Sequence, residues 1–226
     1  MSDNEYKERV DEVEELVAKL RANDSDVKVI SLMFEEWEDM PEQEAIEEAI
    51  QLFRALEDNT TVEEANLEYS TIMINGNLAR AIARSLAKNQ YLQHVYISCA
   101  EFEGQSEMRI VLESLMNNNR IRCLTISGYD DYMEAPLALI GRTLSRVLAD
   151  VLRTTSSIER LVLIKDAIEW DRVSLLNLCD GLRVNKSIKI LDLADTRFPC
   201  SSRVPAWVCA NLCKAVGEGT KVRIPS

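Results

Sequence analysis

Glycine is scarce in this chain of 226 residues. Only seven are present. None stand in a G-x-G-x-x-G or G-x-x-x-x-G-K-[ST] arrangement, so no backbone cradle for a phosphate is encoded. Histidine is scarcer still. His94 stands alone, and no motif pairs a serine or cysteine with it, so no nucleophile–base couple is legible. The acid pair Asp130 and Asp131 lies beside tyrosines, with nothing to give it an acid–base environment. No apolar run reaches the roughly eighteen residues of a membrane-spanning helix. The opening MSDNEYKERVDEVEELV is acidic and has no apolar stretch of the signal-peptide kind. A cytoplasmic location is expected, with the nucleus left open. There is no low-complexity linker, so residues 1–226 are expected to form one domain. No enzymatic activity, cofactor, metal or membrane association is expected.

Six cysteines are present. Cys179, Cys209 and Cys213 fall in the core register of helices, where a thiol acts as a small hydrophobe. Cys209 and Cys213 are one helical turn apart, but no histidine or second cysteine pair completes a metal site.

Charge is abundant and uneven. The formal net charge is −12, yet residues 1–70 hold 22 acids against 6 bases, while the remainder is slightly basic. So acidic an N-terminal third disfavours nucleic acid. It suits a solvated cap, or electrostatic steering of a basic partner. Within it, residues 2–20 read as an acidic amphipathic helix, with Val10, Val13, Val17 and Leu20 on one face. That helix is expected to cap the polar end of a stack.

One line of sequence recurs at least six times: leucine, two residues, asparagine, a short gap, then apolar-x-x-apolar-x-apolar. The cleanest copy is Leu182 and Asn185 with Ile188, Leu191 and Leu193. Leu56 and Asn59, Leu86 and Asn89, and Leu115 and Asn118 repeat it, and Leu152 does so with Thr155 in place of asparagine. Leu20 and Asn23 begin a first copy with one extra residue, and Val216, Val222 and Ile224 form a partial seventh. The first apolar residues, Val27, Val62, Leu92, Ile121, Ile158 and Ile188, are separated by 35, 30, 29, 37 and 30 residues. The triplet ends in two-residue alternation, the mark of a short half-buried strand beginning at those residues. The stretch before it is helical, with Ala49, Leu52, Phe53 and Leu56 on one face. The asparagine, three residues past the last helical leucine, reads as a left-handed helix stop. One helix and one strand cannot bury their own apolar faces, so neighbouring copies must stack.

These repeats resemble ribonuclease-inhibitor-like leucine-rich repeats. They are most similar to the C-terminal domain of the tropomodulin family, on stretches such as LRANDSDVKVISL and ALEDNTTVEEANL. The resemblance spans about residues 20 to 224. It departs where an asparagine or cysteine usually follows the strand: Glu35, Ser70, Ala100, Tyr129, Asp166 and Thr196 stand there. The resemblance implies an α/β fold, a leucine-rich repeat solenoid of right-handed helix-strand units. A parallel sheet lines its concave face and helices its convex face. It also implies a non-enzymatic scaffold for another protein. The alternatives it raises are a regulator capping the pointed end of actin filaments, or a regulator of a small GTPase or other enzyme.

Strand positions between the buried residues point onto the concave face. By repeat they include Glu64, Asn66 and Glu68, then His94, Tyr96 and Ser98, then Cys123, Thr125 and Ser127. The later repeats supply Arg160, Val162 and Ile164, then Ile190 and Asp192. Val162, Ile164 and Ile190 are expected to form one apolar patch. Loops at 34–42, 128–136 and 195–205 leave the same strand ends and should line one rim. There Trp37, Ile72, Phe102, Ile168 and Phe198 share an interior register, whereas Tyr129, Asp131 and Tyr132 do not and are candidate contacts. At the far end Lys221, Arg223 and Pro225 blunt a strand edge, so a mainly monomeric protein is expected.

Overall fold

The computed structural model describes residues 3–32, 37, 40–68, 70, 72–128, 137–164, 171–193 and 206–223. Helix and strand alternate throughout. The helices are α1 (Asp3–Ala22), α2 (Glu42–Leu56), α3 (Gly76–Lys88), α4 (Gln105–Ser114), α5 (Leu137–Thr154), α6 (Arg172–Val184) and α7 (Ala206–Ala215). The strands are β1 (Val29–Ser31), β2 (Glu64–Leu67), β3 (His94–Ser98), β4 (Cys123–Ser127), β5 (Arg160–Ile164), β6 (Ile190–Asp192) and β7 (Lys221–Arg223). All seven lie in one sheet in chain order, each parallel to the next. A parallel neighbour reached through a helix is a right-handed crossover. Packed helices stand about 8–10 Å apart and strands about 4.8 Å, so the stack bends toward its strands. The fold is the α/β leucine-rich repeat solenoid, with a concave sheet.

The core runs the length of the stack. Each triplet's second and third apolar residues are buried, from Ile30 and Leu32 to Leu191 and Leu193, and the helices add Leu52, Phe53, Leu86, Leu112, Leu148 and Leu178. Val13, Val17 and Leu20 bury one face of α1. Trp37, Ile72 and Phe102 are buried in the register read from the sequence; Ile168 and Phe198 lie outside the described residues. Cys179 is buried, but Cys209 is half-buried and Cys213 exposed, contrary to their expected core register. Both stand on α7, whose packing partner among the described helices is α6.

The asparagines do something other than the expected left-handed stop. Asn89, Asn118 and Asn185 have extended backbones, with φ of −64°, −106° and −70°. Their side chains are buried and bond in both directions. The Asn89 amide donates to the carbonyls of Leu56 (2.7 Å) and Asn59 (2.9 Å) in the preceding repeat. Its Oδ1 accepts from the backbone N–H groups of Tyr91 (2.7 Å) and Leu92 (2.8 Å). Asn118 and Asn185 repeat all four bonds. Asn59 donates to Leu20 O at 2.8 Å and accepts from Thr61 and Val62. Buried backbone groups at the helix ends are thereby satisfied by the next repeat. Among the described residues the left-handed conformation appears at this position only in the first copy, at Asn23 (φ 55°); Gly219 (φ 84°) stands where the first apolar residue of the last copy would be.

This ladder also moves the strand starts. The sheet begins two residues after each expected first strand residue, at Val29, Glu64 and His94, not Val27, Val62 and Leu92. The N–H of Val62, Leu92, Ile121 or Ile188 is committed to the asparagine Oδ1. It is therefore unavailable to a neighbouring strand.

Candidate interaction surface

Strand register lines the outward side chains into rows that cross the sheet. The first row runs Val29, Glu64, His94, Cys123, Arg160, Ile190 and Lys221. The second runs Ser31, Asn66, Tyr96, Thr125, Val162, Asp192 and Arg223. A shorter third row pairs Ser98 with Ser127 and Ile164. The first row is open: Val29, His94, Arg160 and Lys221 are exposed. Burial grows along the strands, so that Thr125, Ser98 and Ser127 are buried.

Charge is segregated along the rows. On β2 and just after it stand Glu64 and Glu68, both half-buried. Glu64 faces His94 across the strands, Oε2 to Nδ1 at 3.8 Å. One carboxylate oxygen of Glu68, Oε1, is buried without a hydrogen-bond partner. On β5 to β7 stand Arg160, Lys221 and Arg223. Asp192, an outward strand position in the sequence, is closed off from solvent. It is 7% exposed and lies between Arg160 (3.5 Å) and Arg223 (3.3 Å). Among the described residues of β5 to β7, three cations thus stand with one carboxylate.

The expected apolar patch is divided. Val162 and Ile164 share β5, but Val162 pairs with Asp192 and Ile190 pairs with Arg160. The Arg160–Asp192 ion pair therefore separates Ile190 from Val162. All three apolar residues are half-buried. Tyr129, Asp131 and Tyr132 lie outside the described residues.

Burial acts on two titratable groups of this face. Cys123 lies between His94 and Arg160 in the first row, and burial pushes its thiol above the ordinary value, keeping it protonated. Burial, then Glu64, raises the Tyr96 phenol. Cys99 beneath the sheet is pushed up to about 12 by burial. Among the described residues no three His, Cys, Asp or Glu are grouped to hold a metal, and no helix is long and apolar enough to cross a membrane.

Two features of the helix side escaped the sequence reading. Glu57 is buried where α2 ends, held by Arg84 (2.9 Å) and Lys88 (3.4 Å) of the next helix. Val173, Leu176 and Trp207 are exposed on α6 and α7. Their only signal is being apolar off the buried helical stripe.

No family model matches the chain, and no curated protein matches it significantly. Among solved structures it is similar to leiomodin-1 actin-binding site 2 (17% identity, 74% of this chain, 88% of that one, TM-score 0.49). It is also similar to the tropomodulin C-terminal domain of Caenorhabditis elegans (13% identity, 90% of each chain, TM-score 0.41). These are proteins of the kind the repeats resemble; the fold assignment itself rests on the sheet and helix stack.

Proposed function

We propose that the chain is a non-enzymatic, monomeric protein-interaction scaffold. A partner lies across the concave rows, with the loops that leave the strands' C-terminal ends as a rim. The observation that carries this reading is the continuous seven-stranded face whose first row is open to solvent. A surface of this kind presents in-register side chains to a partner and positions no nucleophile.

Affinity capture from native cells with the tagged chain tests it, in parallel with Val162→Asp and Ile164→Asp. A partner retained by the parent and lost from both variants, with their circular dichroism unchanged, is the expected result. Retention of every partner by both variants excludes this face. Tyr129→Ala and Tyr132→Ala examine the rim in the same assay. Actin binding belongs to the leiomodin-1 site to which the chain is similar. Here it is tested directly: a change in pointed-end elongation of pyrene-labelled filaments makes actin the partner, and no change removes it.

A further inference from the structure

We propose that the concave face takes one helical segment with its charges segregated: acidic first turns, an apolar middle and basic last turns. This rests on the scaffold reading above and adds the partner's chemistry. The face is electrostatically two-ended. Glu64 and Glu68 have no lysine or arginine partner among the described residues, and the buried Oε1 of Glu68 lacks any donor. Arg160 and Arg223 share Asp192, the one carboxylate among the described residues of β5 to β7, and Lys221 stands beside them in the first row. Between the two ends the floor is Tyr96, Cys123, Thr125 and Val162, which carry no formal charge.

Dimensions select the segment. Glu64 is three strand steps from Arg160 and five from Lys221, which is roughly 14 and 24 Å. A helix of about 16 residues spans 24 Å. Lying across the strands, an extended peptide cannot join their hydrogen-bond ladder, so its backbone polar groups would face a partly apolar floor unpaired. A helix satisfies its own. A helix is also favoured by acids in its first turn and bases in its last. Its N-terminus therefore belongs over Arg160, Lys221 and Arg223, and its C-terminus over Glu64 and Glu68.

The test is a fluorescence-anisotropy titration of the full chain. One labelled 16-residue peptide has glutamates in its first turns, leucine and alanine in its middle and lysines in its last turns. A second peptide has the same composition with alternating charges. The segregated peptide is expected to bind on the order of tenfold more tightly, with the difference shrinking at high salt. Glu64→Lys with Glu68→Lys should weaken it about tenfold. Arg160→Glu, Asp192→Lys, Lys221→Glu and Arg223→Glu together, which keep a local ion pair and invert the net charge of that end, should do the same. Combining both sets should restore binding, because the peptide can turn end for end. The near-isosteric Glu64→Gln with Glu68→Gln must also weaken binding, which covers misfolding of the reversals. Equal binding of both peptides, or indifference to every charge change, overturns the proposal. If Val162→Asp still abolishes binding in that case, the scaffold reading survives; if it too has no effect, both fall.

Discussion

Asn118 donates one amide hydrogen to the main-chain carbonyl of Asn89 at 2.8 Å, the same residue whose side chain fills the equivalent place one repeat earlier. Asn89 in turn donates to the carbonyl of Asn59 at 2.9 Å. Each repeat therefore closes the polar end of the one before it. The ladder lies inside the stack, where water cannot replace a missing donor.

The first prediction is that Asn118→Ala is severely destabilising. It leaves the Leu86 and Asn89 carbonyls and the N–H groups of Arg120 and Ile121 without their partner. Groups orphaned in this way cost about 1–3 kcal/mol each, less what local rearrangement recovers. A loss of about 4 kcal/mol in urea unfolding is expected. Asn118→Gly should lose as much. If glycine were well tolerated, the residue would be acting as a backbone stop and not through its amide.

The ladder has one weak rung, and repairing it is the second prediction. At Thr155 the side chain is too short to reach back. Ser157 Oγ substitutes, bonding the Thr155 hydroxyl at 3.0 Å and Asn118 O at 3.4 Å. Thr155→Asn places an amide where the neighbouring copies have one. A net gain of about 1 kcal/mol per added buried bond is the scale involved. The thermal midpoint should rise by about 2–4 °C. An unchanged or lower midpoint would mean that the longer β4–β5 repeat holds its turn too far away for the bond.

These asparagines mark what was legible in the sequence and what was not. Their spacing, with the triplet that follows, located all seven strands to within two residues and most of the core. The left-handed reading followed from the residue's local preference alone. The amide's true partners lie about 30 residues away, and no local rule reaches them. A clue was present within the chain: a position needing only a left-handed backbone would accept glycine freely, yet glycine occurs there in no copy. The outward strand positions were legible by alternation. That Arg160 and Arg223 would enclose Asp192 was not, because ion pairing depends on strand register between repeats.

The third prediction concerns Gly181, which sits inside α6. A Cβ built there would lie 2.7 Å from Ala149 Cα and 2.9 Å from Ala149 O of α5. The contact is with backbone, so it cannot be relieved by a side-chain rotation. Gly181→Ala gains up to about 1 kcal/mol of helix propensity. It must also push two packed helices apart, at a cost of about 1–3 kcal/mol. A net destabilisation of about 1 kcal/mol is expected in denaturant melts. A stabilised variant would show that α5 and α6 separate without resistance.

The last prediction is a pH dependence at Glu48. Burial, opposed by the hydrogen bond from Trp37 Nε1 (3.0 Å) and reinforced by Glu14 and Glu44, raises its carboxyl above the ordinary 4.5. A raised folded value means that the native state binds this proton more tightly than the unfolded chain does. The contribution to stability is fully present below pH 4.5. It is lost as pH rises through the folded value, leaving a constant penalty at neutrality. Glu48→Gln keeps an oxygen for the Trp37 N–H and removes the charge. Its thermal midpoint should exceed the parent's by about 1–2 °C at pH 7 and match it near pH 4. Since Glu48 is only half-buried, solvent screening limits the effect to this size. A midpoint lowered at pH 7 and unchanged at pH 4 would show that the charge-assisted bond to Trp37 outweighs the burial of the carboxylate.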